Sequence, residues 1–370
     1  MNSNLRVAIV HDYLNQMGGA ERVVGVLHKM FPKAPIYTTV ADRNKLLPEL
    51  MDADIRTTWM QRLPGILKRY KQYFWLYPFA VQSMDLSGYD LVISSSSAYS
   101  KGVVVKDGAA HICYCHTPMR FAWDFNSYMQ GNDVPRIQRW IAKWAMSPLR
   151  TWDRKTSNRI DHIVANSTIV QHRIAQCYGR DAQVIFPPVD VARFQIGATA
   201  PDDYFLVVSR LVSYKRIDLA VKACTTLGKR LLIIGEGPDR QRLEQMAGPT
   251  VQFLGRISDG QVALYMQKCR GFIFPGLEDF GITPLEANAC GRPVIAYKGG
   301  GALDTINPGV NGIYFEQQTA ESLANALQAM NELEWDAQTI RNHAEQFSVV
   351  QFVQSFSQYV ASNLAKEEQL

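Results

Sequence analysis

Several features that define common protein classes are missing from this sequence. A membrane-spanning helix needs about 18 or more consecutive apolar residues, and no stretch reaches that length. The N-terminus lacks the charged region, apolar run and cleavage site of a secretory signal. The six cysteines show no paired framework, as is typical of reduced thiols in a cytosolic enzyme. These absences predict a protein that is made and kept in the cytoplasm.

Motifs for metals and dinucleotides are absent or incomplete. Cys113, Cys115 and His116 resemble half of a zinc knuckle, but no second Cys/His pair supplies the other ligands. There is no Walker A motif, and residues 235–240 carry Arg240 where the third glycine of a dinucleotide fingerprint would stand. We therefore predict no metal and no cofactor, and neither an NAD enzyme nor an ordinary NTPase.

Charge is unevenly placed, although the net charge is only +5. No acidic residue lies between Asp54 and Asp85, and basic residues alternate with aromatic ones over 56–77 and again over 136–155. Cations beside tryptophans are typical of surfaces that settle on anionic lipid headgroups. The alternative is a pair of amphipathic helices packed into the domain with solvated charges. Nucleic acid is not predicted as a partner, because no recognition fold accompanies these charges.

The chain does contain a repeating pattern of strands and helices. Its 370 residues, 47% hydrophobic and 20% charged, favour two folded domains. Short apolar runs alternate with helical segments in both halves, which predicts α/β doubly wound sheets. Because Pro187 and Pro188 interrupt the pattern, we predict domains at 1–188 and 189–347 and a last helix at 348–370.

Candidate ligand-binding residues follow the predicted strands. Open α/β sheets bind ligands beyond the carboxyl ends of their strands, so a site is expected in the cleft between the domains. Arg210 and Lys215 follow the strand predicted at 204–209, and two cations there suit a diphosphate. Alone the pair is weak evidence, because surface Arg and Lys are usually solvated.

Residues 277–291, LEDFGITPLEANACG, place two glutamates on either side of a helix start. Residues 283–286 fit a capping box, with Thr283 as the N-cap and Glu286 folding back on it. In the other interpretation the helix start faces an anionic ligand, which Gly281 lets the backbone approach. The two roles are compatible.

A second glycine cluster, residues 299–301, precedes another short helical pattern. Two glycine-flanked helix starts beside Arg210 and Lys215 predict a phosphate site, since backbone N–H groups at a helix start bind anions. Glu278 has no local structural role that the sequence indicates.

These motifs together resemble one known family. Residues 278–286 resemble the E-x7-E motif of glycosyltransferase family 4, retaining enzymes of the GT-B fold; residues 210–215 resemble its phosphate-binding Arg and Lys. The resemblance covers nearly the whole chain. Residues 11–13, 115–118 and 291–296 are most similar to mannosyltransferases that build O-antigen and exopolysaccharide repeat units. The family resemblance implies two Rossmann-like α/β domains facing a central cleft, with the C-terminal helix returning to the N-terminal domain.

The resemblance also implies roles for single residues. Glu286 would hold the ribose of the nucleotide, Glu278 the hydroxyls of the donor sugar, and the backbone around Arg256 and Ile257 the base. Four residues would be catalytic: His116, Arg210, Lys215 and Glu278. Further donor contacts would come from Gly18, Gly19, Phe280, Gly281, Ile282 and Thr283.

Three residues of the N-terminal half, His11, Asp12 and Arg120, are candidates for the acceptor site or the site wall. His11 and Asp12 could instead form a core or helix-start pair. His116 would lie near the 6-hydroxyl of the sugar and the reacting centre, unless it is a buried histidine with local polar partners.

The implied activity is transfer of a hexose with retention, first of all α-mannose from GDP-mannose, to a polyprenyl diphosphate-linked glycan in O-antigen or exopolysaccharide synthesis. The protein would then sit peripherally on the inner face of the cell membrane. A family member that uses UDP-glucose or UDP-galactose is the nearest alternative. A nonhydrolysing sugar-nucleotide epimerase or a non-catalytic nucleotide-sugar-binding subunit also remains open.

Overall fold

The computed structural model describes residues 5–124 and 136–367; within the second range, the side chains of residues 136–145, 366 and 367 are not described. The basic and aromatic side chains predicted at 136–144 for lipid contact lie outside the described side chains. The described chain divides into two compact units. The first unit takes the residues up to Pro188 and those from Phe352 onward, and the second takes Val189–Gln351.

The first unit is built on a parallel sheet, seven-stranded over the described residues, in the order β3-β2-β1-β4-β5-β6-β7. Its strands are β1 (Val7–His11), β2 (Ile36–Thr38), β3 (Ile55–Thr57), β4 (Leu91–Ser96), β5 (Ala110–Cys115), β6 (His162–Ala165) and β7 (Gln183–Val184). Its helices are α1 (Gly19–Met30), α2 (Ile66–Arg69), α3 (Tyr77–Gln82), α4 (Arg120–Trp123), α5 (Arg136–Ser157) and α6 (Thr168–Tyr178).

The second unit repeats this design with a sheet that is six-stranded over the described residues, in the order β10-β9-β8-β11-β12-β13. Its strands are β8 (Phe205–Val208), β9 (Leu231–Ile234), β10 (Val251–Gly255), β11 (Gly271–Phe274), β12 (Val294–Tyr297) and β13 (Gly312–Phe315). Its helices are α7 (Ile217–Leu227), α8 (Arg240–Gln245), α9 (Asp259–Lys268), α10 (Ile282–Ala289), α11 (Ala302–Thr305), α12 (Ala320–Ala329) and α13 (Ala337–Glu345).

Both sheets reverse their strand order once. In the first unit β1 pairs with β2 on one side and β4 on the other, and in the second unit β8 lies between β9 and β11. The connections therefore run in opposite directions from β1 and from β8, which opens a crevice beyond the carboxyl ends of the central strands. Both sheets are doubly wound, as predicted, and their central strands are buried because helices cover both faces.

The C-terminal helix, α14 (Val349–Glu367), packs against the first unit. Phe352, Phe356 and Val360 belong to the same core cluster as the β1 and β4 side chains. The rings of Phe352 and Phe356 both form edge-to-face pairs with the ring of Tyr114 on β5. Aromatic burial of this kind fixes the last helix to the N-terminal sheet.

Residues 52–82 contain a strand that no prediction named, and they lack the helix that the alternative placed over 56–77. The sequence showed no strand at Ile55–Thr57, because this short edge strand is partly exposed and carries no apolar run. Of the pair of amphipathic helices given as the alternative for 56–77 and 136–155, the first is replaced by short helical turns, at Trp59–Arg62, Ile66–Arg69 and Tyr70–Tyr73, and the second stretch lies in helix α5. Tyr70, Tyr73 and Phe74 pack against the core of the first unit, while Lys68, Arg69 and Lys71 are exposed.

Candidate functional site

The crevice of the second sheet lies between β8 and β11, and each strand is followed by a loop that carries a predicted site residue. Lys215 stands at the end of a short helical turn, Ser213–Lys215, and Glu278 stands on the loop after β11. Their side chains form an ion pair in which the lysine is 15% and the glutamate 21% exposed. The loops are close because Gly276 has no side chain: a Cβ there would lie 3.0 Å from the Lys215 carbonyl oxygen.

Arg210 is exposed on the loop after β8. Its Nη2 donates to the hydroxyl of Tyr214 over 3.1 Å, and the same ring lies 5.6 Å from the Lys215 ammonium. Tyr214 thus holds the two cations on one side of the loop. A ligand with two anionic groups would find both charges there.

Helix α10 begins two residues earlier than predicted. Its N-cap is Gly281, with φ 93, and its first residue is Ile282, so Thr283 lies inside the first turn. The predicted capping box with Thr283 as N-cap and Glu286 as its partner was wrong. Glycine is needed as the cap because φ is positive and because a Cβ would lie 2.7 Å from the Phe274 ring. No side chain caps this helix.

Glu286 sits in the second turn of α10 and is 4% exposed. Its Oε1 lies 3.6 Å from Nη2 of Arg193, and Nη1 of Arg193 donates to Asp259 over 2.8 Å. Arg193 was missed, because nothing in the local sequence after the proline pair marks this arginine as a partner of α10. The buried carboxylate therefore has a charged partner within its own unit.

The glycine cluster at 299–301 supports the loop that carries Glu278. The N–H of Gly301 donates to the Glu278 carbonyl over 2.9 Å, and a Cβ at Gly301 would lie 2.2 Å from the Phe280 Cα. A Cβ at Gly300 would lie 2.3 Å from the Glu278 carbonyl oxygen. The glycines at 299–301 thus allow their backbone to contact the backbone of the Glu278 loop. The N–H of Gly301 donates to that loop within the protein.

The segment predicted to receive a base, Arg256 and Ile257, directly follows β10. Arg256 is exposed, and Ile257 packs partly against the core of the second unit. Just beside it, Gly235 donates its N–H to the Gly255 carbonyl over 2.9 Å. A Cβ at Gly235 would lie 1.9 Å from the Ser209 carbonyl oxygen, so this glycine serves the packing of neighbouring loops.

In the first unit, Asp12 connects the loops that follow β1 and β4 at the crevice through hydrogen bonds. Its carboxylate accepts four backbone N–H groups, from Ser97 at 2.6 Å, Ala98 at 3.0 Å, and Tyr99 and Ser100 at 2.7 Å each. Asp12 follows β1, and the donors follow β4. Both carboxylate oxygens accept these hydrogen bonds, so Asp12 anchors the loop after β4.

His11 and the helix start beyond it form a second polar group. Nδ1 of His11 lies 3.0 Å from the Ser95 carbonyl oxygen, and Nε2 lies 3.9 Å from Oε1 of Glu21. Glu21 also accepts the N–H of Gly18, the N-cap of α1, over 2.9 Å. Burial opposes charge on His11, but the nearby carboxylates of Glu21 and Asp12 outweigh burial and raise the pKa of His11. Gly18 here makes a capping contact, and Gly19 is the first residue of α1.

His116 follows β5 and is 8% exposed. Its Nε2 lies 2.8 Å from Oγ of Ser95. Burial, helped by the charge of nearby His11, lowers the pKa of His116 to about 4, so its imidazole is neutral at pH 7. His116 is therefore a buried histidine with a polar partner, as the alternative described. These contacts are compatible with ligand binding by the same side chain. Arg120, at the start of α4, is partly buried.

Among the described residues, each unit also carries a cavity that neither Lys215 nor Glu278 lines. An apolar cavity of about 330 Å³ in the first unit is lined by Tyr13, Tyr70, Lys71, Phe74, Tyr77, Ala98, Tyr99, Phe121 and Met146. Tyr13 and Ala98 belong to the loops after β1 and β4, so this cavity borders the crevice of the first sheet. A cavity of about 490 Å³ in the second unit is formed by segments preceding β8 and β12, among them Asp203 and Pro293. It lies at the opposite edge of the sheet from Lys215 and Glu278.

Over residues 5–124 and 136–367 the structure shows no helix long and apolar enough to span a bilayer. In the same part of the chain, no three His, Cys, Asp or Glu side chains gather in a way that could hold a metal ion.

The sheets, their crevices and the paired charges define a class of protein that comparison with known sequences identifies. Residues 17–193 match the family model "Glycosyltransferase Family 4", and residues 189–347 match "Glycosyl transferases group 1". The chain therefore belongs to glycosyltransferase family 4, with the GT-B fold that its sequence resemblance implied.

Individual relatives are similar only over part of their length. The GDP-mannose-dependent alpha-(1-6)-phosphatidylinositol monomannoside mannosyltransferase of Mycolicibacterium smegmatis is 30% identical over 50% of this chain and 56% of its own. O-antigen chain mannosyltransferase C of Escherichia coli is 30% identical over 43% of this chain and 44% of its own. The chain thus spans about half the length of these curated relatives. The structure of HepE from Anabaena in complex with UDP superposes with a TM-score of 0.73 at 18% identity, over 97% of this chain and 100% of that one.

Proposed function

We propose that the protein transfers α-mannose from GDP-mannose, with retention of configuration, to a polyprenyl diphosphate-linked glycan in O-antigen or exopolysaccharide synthesis. The observation that carries the proposal is the Lys215–Glu278 pair in the crevice of the second sheet. It places a cation suited to a diphosphate beside a carboxylate suited to sugar hydroxyls, at the point where open α/β sheets bind ligands.

Donor binding would exchange the partners of this pair. In the structure Lys215 and Glu278 neutralise each other. A diphosphate would draw Lys215 and Arg210 towards its oxygens, and the sugar hydroxyls would donate to Glu278. The uncapped start of α10, at Ile282 and Thr283, would add backbone N–H groups to the diphosphate.

The chemistry then needs no protein nucleophile. The bond between the sugar's anomeric carbon and the diphosphate oxygen breaks, the acceptor oxygen bonds to that carbon from the same face, and the acceptor proton passes to the leaving diphosphate. Arg210 and Lys215 stabilise the charge that develops on the leaving group, the work a metal does elsewhere. We assign Glu286 to the ribose and His116 to the transferred sugar.

The choice of mannose is supported by relatives whose names specify GDP-mannose or mannosyl transfer. The choice of a lipid-linked acceptor is supported by the apolar cavity of the first unit and the exposed cations beside it, Lys68, Arg69 and Lys71. An amphiphile with an anionic headgroup fits this combination. We also propose that these residues hold the protein against the inner face of the cell membrane, with a nucleotide-sugar as its soluble substrate.

The first experiment is a thermal-shift titration against GDP, UDP, GDP-mannose, UDP-glucose and NAD at equal concentrations. A stabilisation specific to GDP and GDP-mannose is expected, since a ligand that binds only the native state raises its stability. A UDP-specific response would contradict the choice of donor, and so favour a family member that uses UDP-glucose or UDP-galactose. No response from folded protein would contradict nucleotide-sugar binding altogether.

A second experiment separates transfer from its alternatives. GDP-mannose is incubated with a polyprenyl diphosphate-linked glycan and, in parallel, without acceptor. GDP release that depends on the acceptor, with an α-linked product, is expected. Conversion of the nucleotide-sugar without acceptor would indicate an epimerase, and binding without any conversion would indicate a non-catalytic subunit.

A further inference from the structure

Four polar side chains of the first unit lie next to one another in a row that ends at His116. In order they are Glu21, His11, Ser95 and His116, here named the Glu21–His116 chain. His11 Nε2 lies 3.9 Å from Glu21, His11 Nδ1 lies 3.2 Å from Oγ of Ser95, and that oxygen lies 2.8 Å from Nε2 of His116. All four residues are buried, so each proton that these side chains carry has few alternative hydrogen-bond acceptors.

The direction of these hydrogen bonds follows from one contact. Nδ1 of His11 also lies 3.0 Å from the carbonyl oxygen of Ser95. A carbonyl oxygen can only accept, so His11 carries a proton on Nδ1 and donates it there. The hydroxyl of Ser95 then finds no acceptor at His11, and its proton is left to point at Nε2 of His116.

We propose that Ser95 is a positioning residue that holds His116 in the tautomer with its proton on Nδ1. Nε2 of His116 accepts from Ser95, so a neutral ring must carry its proton on the other nitrogen. His116 is then a hydrogen-bond donor to a ligand oxygen through Nδ1, and it is not a base. Glu21 faces Nε2 of His11 and favours a proton there, so His11 is held in the charged form, which keeps its proton on Nδ1 as well.

This assignment rests on the proposed function only in placing His116 at the transferred sugar. A donor at that point suits a sugar oxygen and suits chemistry in which the leaving diphosphate takes the acceptor proton. The two ring nitrogens of His116 would then differ in role: Nε2 accepts a hydrogen bond from the protein, and Nδ1 donates one to the ligand.

The strand β4 offers a matched control. Ser94, the neighbouring residue, makes the same kind of contact, with its Oγ 2.8 Å from Nε2 of His111. Both serines and both histidines are buried. Ser94→Ala and Ser95→Ala therefore remove equivalent hydrogen bonds, and only the second touches the Glu21–His116 chain.

The test is the tautomer of His116, read from imidazole nitrogen shifts of histidine-labelled protein without ligand. The wild type and Ser94→Ala are expected to show the proton on Nδ1 of His116. Ser95→Ala is expected to move it to Nε2, and Ser95→Thr, which keeps a hydroxyl, to restore it. A wild-type His116 protonated on Nε2, or a tautomer that Ser95→Ala leaves unchanged, would overturn the proposal.

Transfer kinetics supply the second readout. Ser95→Ala is expected to lower kcat by about tenfold with little change in KM for the donor, as for an interaction that matters mainly in the transition state, while Ser94→Ala and Ser95→Thr stay near wild type. An equal loss in Ser94→Ala would reduce Ser95 to a structural role and overturn the proposal. If the wild type transfers no sugar, the proposed function fails, and the tautomer measurement still decides the role of Ser95.

Discussion

Lys215 and Glu278 stand on loops that follow the two central strands of the second sheet, and their side chains form an ion pair in the crevice between those strands. The lysine is only 15% and the glutamate 21% exposed, and the pair adds little net stability because the cost of desolvating both charges offsets their attraction. Its value is positional: a cation and a carboxylate are held side by side where a ligand with phosphate and hydroxyl groups would bind.

The first prediction concerns this pair. Lys215→Ala is expected to weaken GDP binding by about ten- to a hundredfold, the value of a hydrogen bond to a charged group. Glu278→Gln should keep GDP affinity and lose transfer, because GDP carries no donor sugar. Isothermal titration and a transfer assay measure the two effects. Lys222→Ala, an exposed lysine on α7, is the control; equal GDP affinity in Lys215→Ala and Lys222→Ala would remove Lys215 from the site.

The second prediction concerns Asp12. Asp12→Asn replaces one acceptor oxygen by an NH2 group that faces backbone donors, so at least two of the four N–H contacts are lost. We expect a destabilisation of about 3 kcal/mol, since buried donors are left unsatisfied. Urea unfolding measures it. Asp85→Asn changes an exposed aspartate that accepts from Ser87 and should have little effect. A wild-type midpoint for Asp12→Asn would show that the loop after β4 holds without this anchor.

The third prediction concerns the support of the Glu278 loop. Gly301→Ala would put a methyl group 2.2 Å from the Phe280 Cα, a backbone clash that forces the loop to move. We expect lower thermal stability and loss of nucleotide-dependent stabilisation. Gly260→Ala, on α9 with open space around it, should be neutral or slightly stabilising, because alanine is the better helix former. Normal nucleotide binding by Gly301→Ala would disconnect this cluster from the site.

The fourth prediction concerns Glu286. Because Glu286 is not a cap, Glu286→Gln should fold: the amide is isosteric, and Arg193 keeps its 2.8 Å contact with Asp259. GDP affinity should fall by about tenfold if the carboxylate holds the ribose, the loss of one hydrogen bond to a charged group. Asp259→Asn changes the other partner of Arg193 and is the control. Equal affinities in both variants and the wild type would leave Glu286 a structural partner of Arg193.

The fifth prediction concerns pH. Burial outweighs nearby Asp161 and lowers the pKa of His111 to about 4, as burial does for His116. Since an unfolded histidine has a pKa of about 6.5, the unfolded chain binds more protons between these values, and stability falls as the pH drops from 7 towards 4. His11 acts in the opposite direction, because its raised pKa gives stability that is lost as the pH rises through its folded value.

His111→Gln isolates one contribution of this kind. The variant should lose up to about 3 kcal/mol less stability than the wild type on acidification, the free-energy equivalent of the pKa shift. Urea unfolding at several pH values between about 4.5 and 7.5 measures the difference. Parallel pH profiles for the variant and the wild type would mean that His111 is not held neutral in the folded protein.

The sequence by itself determined the doubly wound sheets, because each buried parallel strand is a short apolar run that needs no distant partner to be recognised. It also determined where the candidate residues stand, since Arg210, Lys215 and Glu278 directly follow such runs. The sequence did not indicate β3, because this strand has no apolar run. It also misplaced the N-cap of α10, which is Gly281, a position where the Phe274 ring leaves no room for a side chain.

Only the tertiary structure decided which polar groups meet. Asp12 reaches donors 85 to 88 residues away, Arg193 reaches Glu286 across the second unit, and Ser95 contacts both His11 at the end of β1 and His116 after β5. Such contacts follow from strand order and loop geometry, which bring together residues far apart in the chain. No local pattern encodes them, and so the partners of Asp12, Glu286 and His116 became visible only in the folded protein.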